Sequence, residues 1–174
     1  MSNAPDAAVE VVPYSTSWPE AFVRERAALL AVARSVTTSI EHIGSTAVPG
    51  LSAKPTIDIL MVVDSIEAFR ALIPDIEALG YDFRAGNTFV GSDDHLFLRK
   101  VVDGKRTHHL HVLRSDTPEI EDYRLFRDAL RADPDLAARY GALKVDLAVR
   151  HATDRMRYVI EKADWVDDIL ASLR

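Results

Sequence analysis

The chain has 174 residues, of which 48% are apolar and 28% charged, and its formal net charge is −6 with histidine neutral. Such values are typical of a soluble globular domain and exclude a long disordered chain, because disorder goes with low hydrophobicity and high net charge. The chain has no cysteine, which excludes disulfides, thiolate zinc sites and thiol nucleophiles and favours a cytoplasmic protein.

The first two thirds of the sequence predict alternating helices and strands. Ser17 begins a Ser-x-x-Glu capping box, which predicts the start of a first helix. Asp103 and Gly104 join two alternating runs, a pattern that predicts a hairpin. The predicted elements are, in chain order, a helix from near Ser17, a strand over 36–43, a short helix over 47–52, a strand over 56–63, a helix over 65–79 interrupted at Pro74, a short strand over 81–83, and strands over 95–102 and 106–113.

The last third of the sequence predicts three helices. The first runs from Asp116 or Thr117 to about 131, the second from Asp133-Pro134 to about 150, and the third from Thr153 or Asp154 onward. We therefore predict an α/β fold in one domain of residues 1–174, with a mixed sheet over about 11–114 and C-terminal helices over about 116–172.

The composition also narrows the classes of partner. No apolar run approaches the roughly 18 residues that a membrane-spanning helix needs, so we expect no membrane partner. The acidic balance disfavours bulk nucleic acid, whose binding depends on neutralising phosphates. A local basic patch could still hold a small phosphorylated ligand. The oligomeric state is left open.

A Gly-Ser turn directly follows a predicted strand. Gly44 and Ser45 can bring backbone N–H groups and a hydroxyl to a phosphate, helped by the positive end of the helix predicted over 47–52. Asp58 lies inside a strand predicted to be buried on both faces, where a carboxylate is costly unless it is paired or binds a metal. The alternative is structural: Ser45 caps the helix and Asp58 pairs with a Lys or Arg.

Histidines of the predicted hairpin form a second candidate site. His109 and His111 are two residues apart on one strand, so both point to one face, whereas His108 points to the other. The pair could bind a metal or contact phosphate, or both could be half-exposed histidines with ordinary hydrogen bonds. The hairpin is basic on an acidic chain, and Arg99 is a candidate for an anion contact.

These segments resemble the GrpB-like family. The stretch EHIGSTAVPGLSAKPTIDI from Glu41 resembles the family signature, as do THHLHV from Thr107, FRDALRADP from Phe126 and YGALK from Tyr140. The resemblance extends over about 11–170. It implies the nucleotidyltransferase fold, in whose active members the Gly-Ser turn holds nucleotide phosphate and carboxylates hold Mg²⁺ ions that activate the attacking hydroxyl.

The resemblance assigns expected roles to residues of this chain. Catalysis and metal binding are expected of Asp58, His109 and His111, with Mg²⁺ or Mn²⁺ as the ion. The residues expected to hold the phosphorylated ligand are His42, Gly44, Ser45, Thr46, Lys54 and Arg99.

The sequence departs from the superfamily pattern at the second carboxylate. That position, two residues after Asp58, is Leu60, and the later strands supply no third acid. We therefore expect a protein that binds a nucleotide or a phosphorylated small molecule, since Leu60 argues against transfer chemistry. Two alternatives stay open: an active metal-dependent nucleotidyltransferase, and a non-catalytic interaction module, because relatives of this family occur fused to dephospho-CoA kinase.

Overall fold

The computed structural model describes residues 10–83 and 93–174. It contains five strands that form one sheet, together with six helices and one 3₁₀ turn. Their bounds are α1 Ser17–Ala33, β1 Thr37–Ile43, the 3₁₀ turn Ser45–Ala47, β2 Ile57–Val63, α2 Ile66–Arg70, α3 Ile73–Ala78, β3 Tyr81–Phe83, β4 His95–Val102, β5 Lys105–Arg114, α4 Glu119–Ala132, α5 Pro134–Arg150 and α6 Arg155–Leu173.

The strands lie in the order β1-β2-β5-β4-β3. The pair β2 and β5 is parallel, whereas the pairs β1–β2, β4–β5 and β3–β4 are antiparallel. The predicted α/β class, a mixed sheet followed by C-terminal helices, is confirmed. The hairpin at Asp103-Gly104 is confirmed as well, and both residues have the positive φ values, 50° and 76°, that a tight hairpin turn requires.

The two faces of the central strand β2 are covered by different helices. Because successive side chains of a strand point to opposite faces, Ile59 and Met61 pack on the side of α1, α2 and α3. Leu60 and Val62 pack on the opposite side, with Ile120 of α4. Covering both faces explains why this strand is apolar at nearly every position.

The helix predicted over 47–52 is wrong. The chain makes only the three-residue 3₁₀ turn, after which Val48 is extended with φ −107° and ψ 112°. Pro49 disfavours the α region for the residue before it, and Gly50 takes a φ of 80°. A turn this short has no useful dipole, so the helix N-terminus that was expected to favour phosphate binding is not formed.

Two other local predictions need correction. Ser17 is the first residue of α1 and not its cap, and the N-cap residue Thr16 makes no side-chain hydrogen bond. The predicted helix over 65–79 is two helices, because Pro74 occupies the first turn of α3 and starts a helix instead of interrupting one. Ser65 caps α2 by accepting from the backbone N–H of Ala68 at 3.1 Å. The described residues include no helix long and apolar enough to span a membrane.

Candidate functional site

The Gly-Ser turn sits against Asp58. Ile43 and Asp58 are register partners in the antiparallel β1–β2 pair, so the residue after Ile43 comes close to the Asp58 side chain. Gly44 has a φ of 69°, and a Cβ placed there would lie 2.5 Å from Asp58 Oδ2. Only glycine accommodates both the backbone conformation and this close approach.

Asp58 is paired with His109 across the two parallel strands. The two residues are register partners, and Asp58 Oδ1 lies 2.9 Å from His109 Nδ1. Burial raises the pKa of Asp58, but the hydrogen bond from His109, with smaller contributions from other neighbouring side chains, outweighs it and holds the pKa below its usual value. Asp58 is therefore ionised at neutral pH, and its side chain remains 29% exposed.

His111 lies on the same face as His109 and belongs to a neutral hydrogen-bonded group. His111 Nδ1 lies 3.0 Å from His95 Nε2 and 3.4 Å from the hydroxyl of Tyr123. Burial lowers the pKa of His111 to about 3 and that of His95 to about 4, so both are neutral at physiological pH. This group joins β4, β5 and α4 beside the Asp58–His109 pair.

Lys144 of α5 reaches the Gly-Ser turn from the other end of the chain. Its Nζ donates to Ser45 Oγ at 2.9 Å and to the carbonyl oxygen of Ser52 at 2.5 Å, and it lies 4.7 Å from the ring centroid of Tyr140. The residue is only 3% exposed. Burial, together with the charge of Lys162, lowers the pKa of Lys144 to about 7.

A second ammonium, that of Lys162 on α6, acts on the same place. Its charge lowers the pKa of Asp58, His111 and Lys144, and its Nζ lies 5.9 Å from the ring centroid of Tyr158. We call the region formed by Gly44, Ser45, Asp58, His109, His111, Lys144 and Lys162 the cleft.

Two of the expected ligand-binding residues lie beneath the turn. His42 is on the opposite face of β1 from the cleft, where its ring stacks on Phe22 at 4.9 Å. Its Nε2 lies 2.9 Å from Thr46 Oγ1, and that hydroxyl donates to the carbonyl oxygen of Thr56 at 3.3 Å. Burial lowers the pKa of His42 to about 4. His42 and Thr46 thus support the turn from below.

The remaining expected residues differ in their relation to the cleft. Arg99 is the register partner of His109, so it lies on the cleft face of the sheet and is half-buried. Lys54 is half-buried in the segment between the turn and β2. His108 points to the opposite face, as predicted, where its Nε2 lies 3.7 Å from Glu25.

The metal-ligand atoms that the cleft offers do not fit a pair of Mg²⁺ ions. Leu60 is fully buried in an apolar cluster, and Asp58 Oδ1 already accepts from His109. Glu41, an acid close in sequence, is held by Arg124 and Arg127 at 2.6 and 2.9 Å. Within residues 10–83 and 93–174, no group of three or more His, Asp and Glu side chains is arranged to hold a metal ion. The metal role of Asp58, His109 and His111 stays a prediction.

Sequence reasoning missed the contributions of the helices. Lys144 and Lys162 lie on two C-terminal helices, 99 residues or more beyond Ser45 in the sequence. One signal was available, because Tyr140 and Lys144 are four residues apart and so lie on one face of a helix. An aromatic ring and an ammonium on the same buried face are unusual enough to indicate a role outside the apolar core.

Comparison with known proteins identifies the family of this chain. The model of the family described as GrpB protein matches residues 8–172. The protein YqkA of Bacillus subtilis is 38% identical over 93% of this chain, and the chain spans only 46% of that relative's length. The crystal structure of GrpB from Enterococcus faecalis is 36% identical, with a TM-score of 0.86 over 94% of this chain and 96% of that one.

A more remote solved structure is that of the Cid1 poly(U) polymerase with MgGTP bound. It shares 13% identity at a TM-score of 0.47, over 77% of this chain and 42% of that one. A likeness this remote carries no argument about reaction or site residues.

Proposed function

The chain belongs to the GrpB family, and we propose that it binds a nucleotide or another phosphorylated small molecule at the Gly44–Ser45 turn. The observation that carries the proposal is the environment of Lys144. Its ammonium is buried, yet its hydrogen bonds go to a hydroxyl and a carbonyl, both neutral oxygens. The charge of Asp58 favours the ammonium only in part, because burial still lowers the pKa of Lys144 to about 7, and a ligand phosphate would compensate the rest of that charge.

Lys144 would act on the ligand through Ser45. Lys144 Nζ donates to Ser45 Oγ, so the ammonium lies directly behind the serine hydroxyl. Ser45 is partly exposed, so a phosphate oxygen can reach it. Lys162 adds a second positive charge near the same place.

Binding without transfer is favoured over nucleotidyl transfer. Transfer by two metal ions needs carboxylates that bridge the ions, and Leu60 occupies the second carboxylate position. One observation keeps metal-dependent transfer as the second candidate: Asp58 is ionised and lies beside Gly44 of the turn. Release of pyrophosphate from a nucleoside triphosphate, abolished by Asp58→Asn, would establish that candidate.

The test compares two substitutions of Lys144 with a control. Lys144→Met keeps the length of the side chain and removes its charge, whereas Lys144→Arg keeps the charge. Lys105→Met removes a lysine at the exposed tip of the hairpin. Titration calorimetry with inorganic phosphate and with ATP should show binding by the wild type and the Lys105 variant.

We expect Lys144→Met to weaken binding at least about tenfold, because one charge-assisted interaction contributes about 1.5–3 kcal/mol. Lys144→Arg should retain part of the affinity. The proposal fails if the wild type binds neither compound at millimolar concentration, or if Lys144→Met binds both as the wild type does.

A further inference from the structure

We infer that the Asp58–His109 pair is an acceptor for a hydroxyl group of the ligand, so that the ligand is a phosphate ester with a free hydroxyl close to its phosphate. The chemical class includes ribonucleotides, sugar phosphates and polyol phosphates. This inference rests on the proposed function, because it places the hydroxyl beside the phosphate held at the Gly-Ser turn.

The pairing with Asp58 fixes which nitrogen of His109 carries a proton. An ionised carboxylate offers only acceptors, so the nitrogen that faces Asp58 Oδ1 at 2.9 Å, Nδ1, must be the donor. The other nitrogen, Nε2, then carries a lone pair if the ring is neutral and an N–H if the ring is charged. Only the neutral ring, with a lone pair on Nε2, can accept from a hydroxyl, and the inference takes that form.

His109 Nε2 has no hydrogen-bond partner in the described part of the chain, although it is buried. Two other side-chain atoms there share this condition, the hydroxyls of Tyr81 and Thr117. Neither residue belongs to the cleft, whereas His109 is at its centre. Leaving a buried polar atom unpaired costs free energy, so a donor supplied by a ligand would relieve that cost.

The position of Nε2 suits a group attached to a bound phosphate. Asp58 Oδ2 lies so near Gly44 that a Cβ there would be 2.5 Å from it, and Asp58 Oδ1 lies 2.9 Å from His109 Nδ1, so a single carboxylate separates the turn from the imidazole. The half-buried ring of Phe97 lies 5.2 Å from the His109 ring. Nε2 is covered in the free protein, so the inference requires a shift of a neighbour such as this ring; the rest of the His109 side chain is 18% exposed.

The main experiment measures how much a hydroxyl adds to affinity. Calorimetry compares two matched pairs of compounds: ATP with 2′,3′-dideoxy-ATP, and glycerol 3-phosphate with propyl phosphate. Each pair is titrated into the wild type, His109→Asn and His108→Asn. Asparagine at position 109 can still donate to Asp58 but has no counterpart of Nε2. His108→Asn is the matched control, because His108 points to the opposite face of the sheet.

We expect the hydroxyl-bearing compound of at least one pair to bind about tenfold more tightly to the wild type and to His108→Asn. In His109→Asn this advantage should disappear while the affinity for inorganic phosphate persists. The inference is overturned if the wild type shows no advantage for either pair, or if the advantage survives in His109→Asn. Failure of the wild type to bind inorganic phosphate would overturn the proposed function as well, so the two failures are distinguishable.

A second measurement does not depend on whether the variant folds. Nitrogen-15 NMR of the histidines in the free wild-type protein at pH 7 should show His109 protonated on Nδ1 and unprotonated on Nε2. A proton on Nε2 would contradict the inference, because that nitrogen could then not accept from a hydroxyl.

Discussion

The two faces of the sheet hold buried charge in different ways. On the face toward α1, Glu25 is buried and both of its oxygens accept from Lys100 Nζ, at 3.0 and 3.1 Å. His108 Nε2 lies 3.7 Å from the same carboxylate. On the cleft face the ammonium of Lys144 is buried, and its hydrogen bonds go to the neutral oxygens of Ser45 and Ser52.

This difference separates a structural role from a binding role. A buried ion pair is neutral as a whole, and its removal leaves an uncompensated charge, so Glu25 and Lys100 should matter for stability. The ammonium of Lys144 is compensated only in part by the charge of Asp58, so an arriving anion would offset more of the cost of burying it. Four predictions test this contrast, in decreasing order of expected effect.

The largest effect should come from acid, which acts on both faces at once. The folded-state pKa values of His42, His95 and His111 are lowered to about 4, 4 and 3 by burial, from an ordinary value near 6.5. Below pH 6.5 the unfolded chain binds more protons than the folded chain, so stability falls as the pH falls toward 4.

Each of these histidines changes the free energy of unfolding by up to about 1.4 kcal/mol per pH unit, and the partly exposed His95 changes it by less. Urea unfolding at pH 7, 6 and 5 should give a steep loss, and His111→Asn should make that loss less steep. A free energy of unfolding that stays level between pH 6.5 and 5 would contradict the buried, neutral state of these imidazoles.

Breaking the paired cluster should cost stability and spare the cleft. Glu25→Gln leaves the ammonium of Lys100 without its carboxylate, and we expect a loss of about 3 kcal/mol in urea unfolding. Glu20→Gln on the exposed side of the same helix is the control and should change stability by less than about 0.5 kcal/mol. Affinity for inorganic phosphate should be the same in both variants, and a large loss in Glu25→Gln would remove the distinction between the faces.

Alkaline pH should weaken the cleft and strengthen the fold. Because the folded-state pKa of Lys144 is about 7 against an ordinary 10.5, its charge is lost as the pH rises from 6 to 9. Affinity for sulfate, whose own charge is constant over this range, should fall by about tenfold. Between pH 7 and 10 the unfolded chain holds the additional proton, so Lys144 contributes a stability that increases with pH. In Lys144→Met both trends should be absent, and a persistent fall in sulfate affinity would assign it to another group.

The smallest effect should come from removing divalent metals. The cleft offers one carboxylate, and one of its oxygens is bound to His109, so anion binding should rest on Lys144 and Ser45. Calorimetry with inorganic phosphate should give the same affinity in EDTA and in Mg²⁺. A strong dependence on Mg²⁺ would instead support the metal role predicted for Asp58.

Local signals in the sequence were enough to predict most of the sheet. Alternation of apolar residues and the Asp103-Gly104 turn locate the hairpin, and the apolar run of β2, interrupted only at Asp58, reflects burial on both faces. The helix over 47–52 was predicted wrongly, because Pro49 and the positive φ of Gly50 outweigh the local apolar pattern. The capping box at Ser17 failed for a similar reason, since a pattern of residue types does not fix the residue at which a helix begins.

The cleft could be predicted only in part. The sequence places His109 and His111 on one face of a strand, but it does not reveal that β5 lies beside β2, since these strands are not consecutive in the chain. The 2.9 Å contact with Asp58 depends on that parallel register. Lys144 was missed because no local pattern states which part of the sheet a distant helix will cover.

The contact of Lys144 with Ser45 spans 99 positions, and that of His109 with Asp58 spans 51. Closing such long loops is entropically unfavourable, so these contacts are expected to form late in folding. An occupant of the cleft would therefore act as a clamp between the sheet and the C-terminal helices. Its presence should slow amide hydrogen exchange in α5 and β2 together, although these elements are far apart in the sequence.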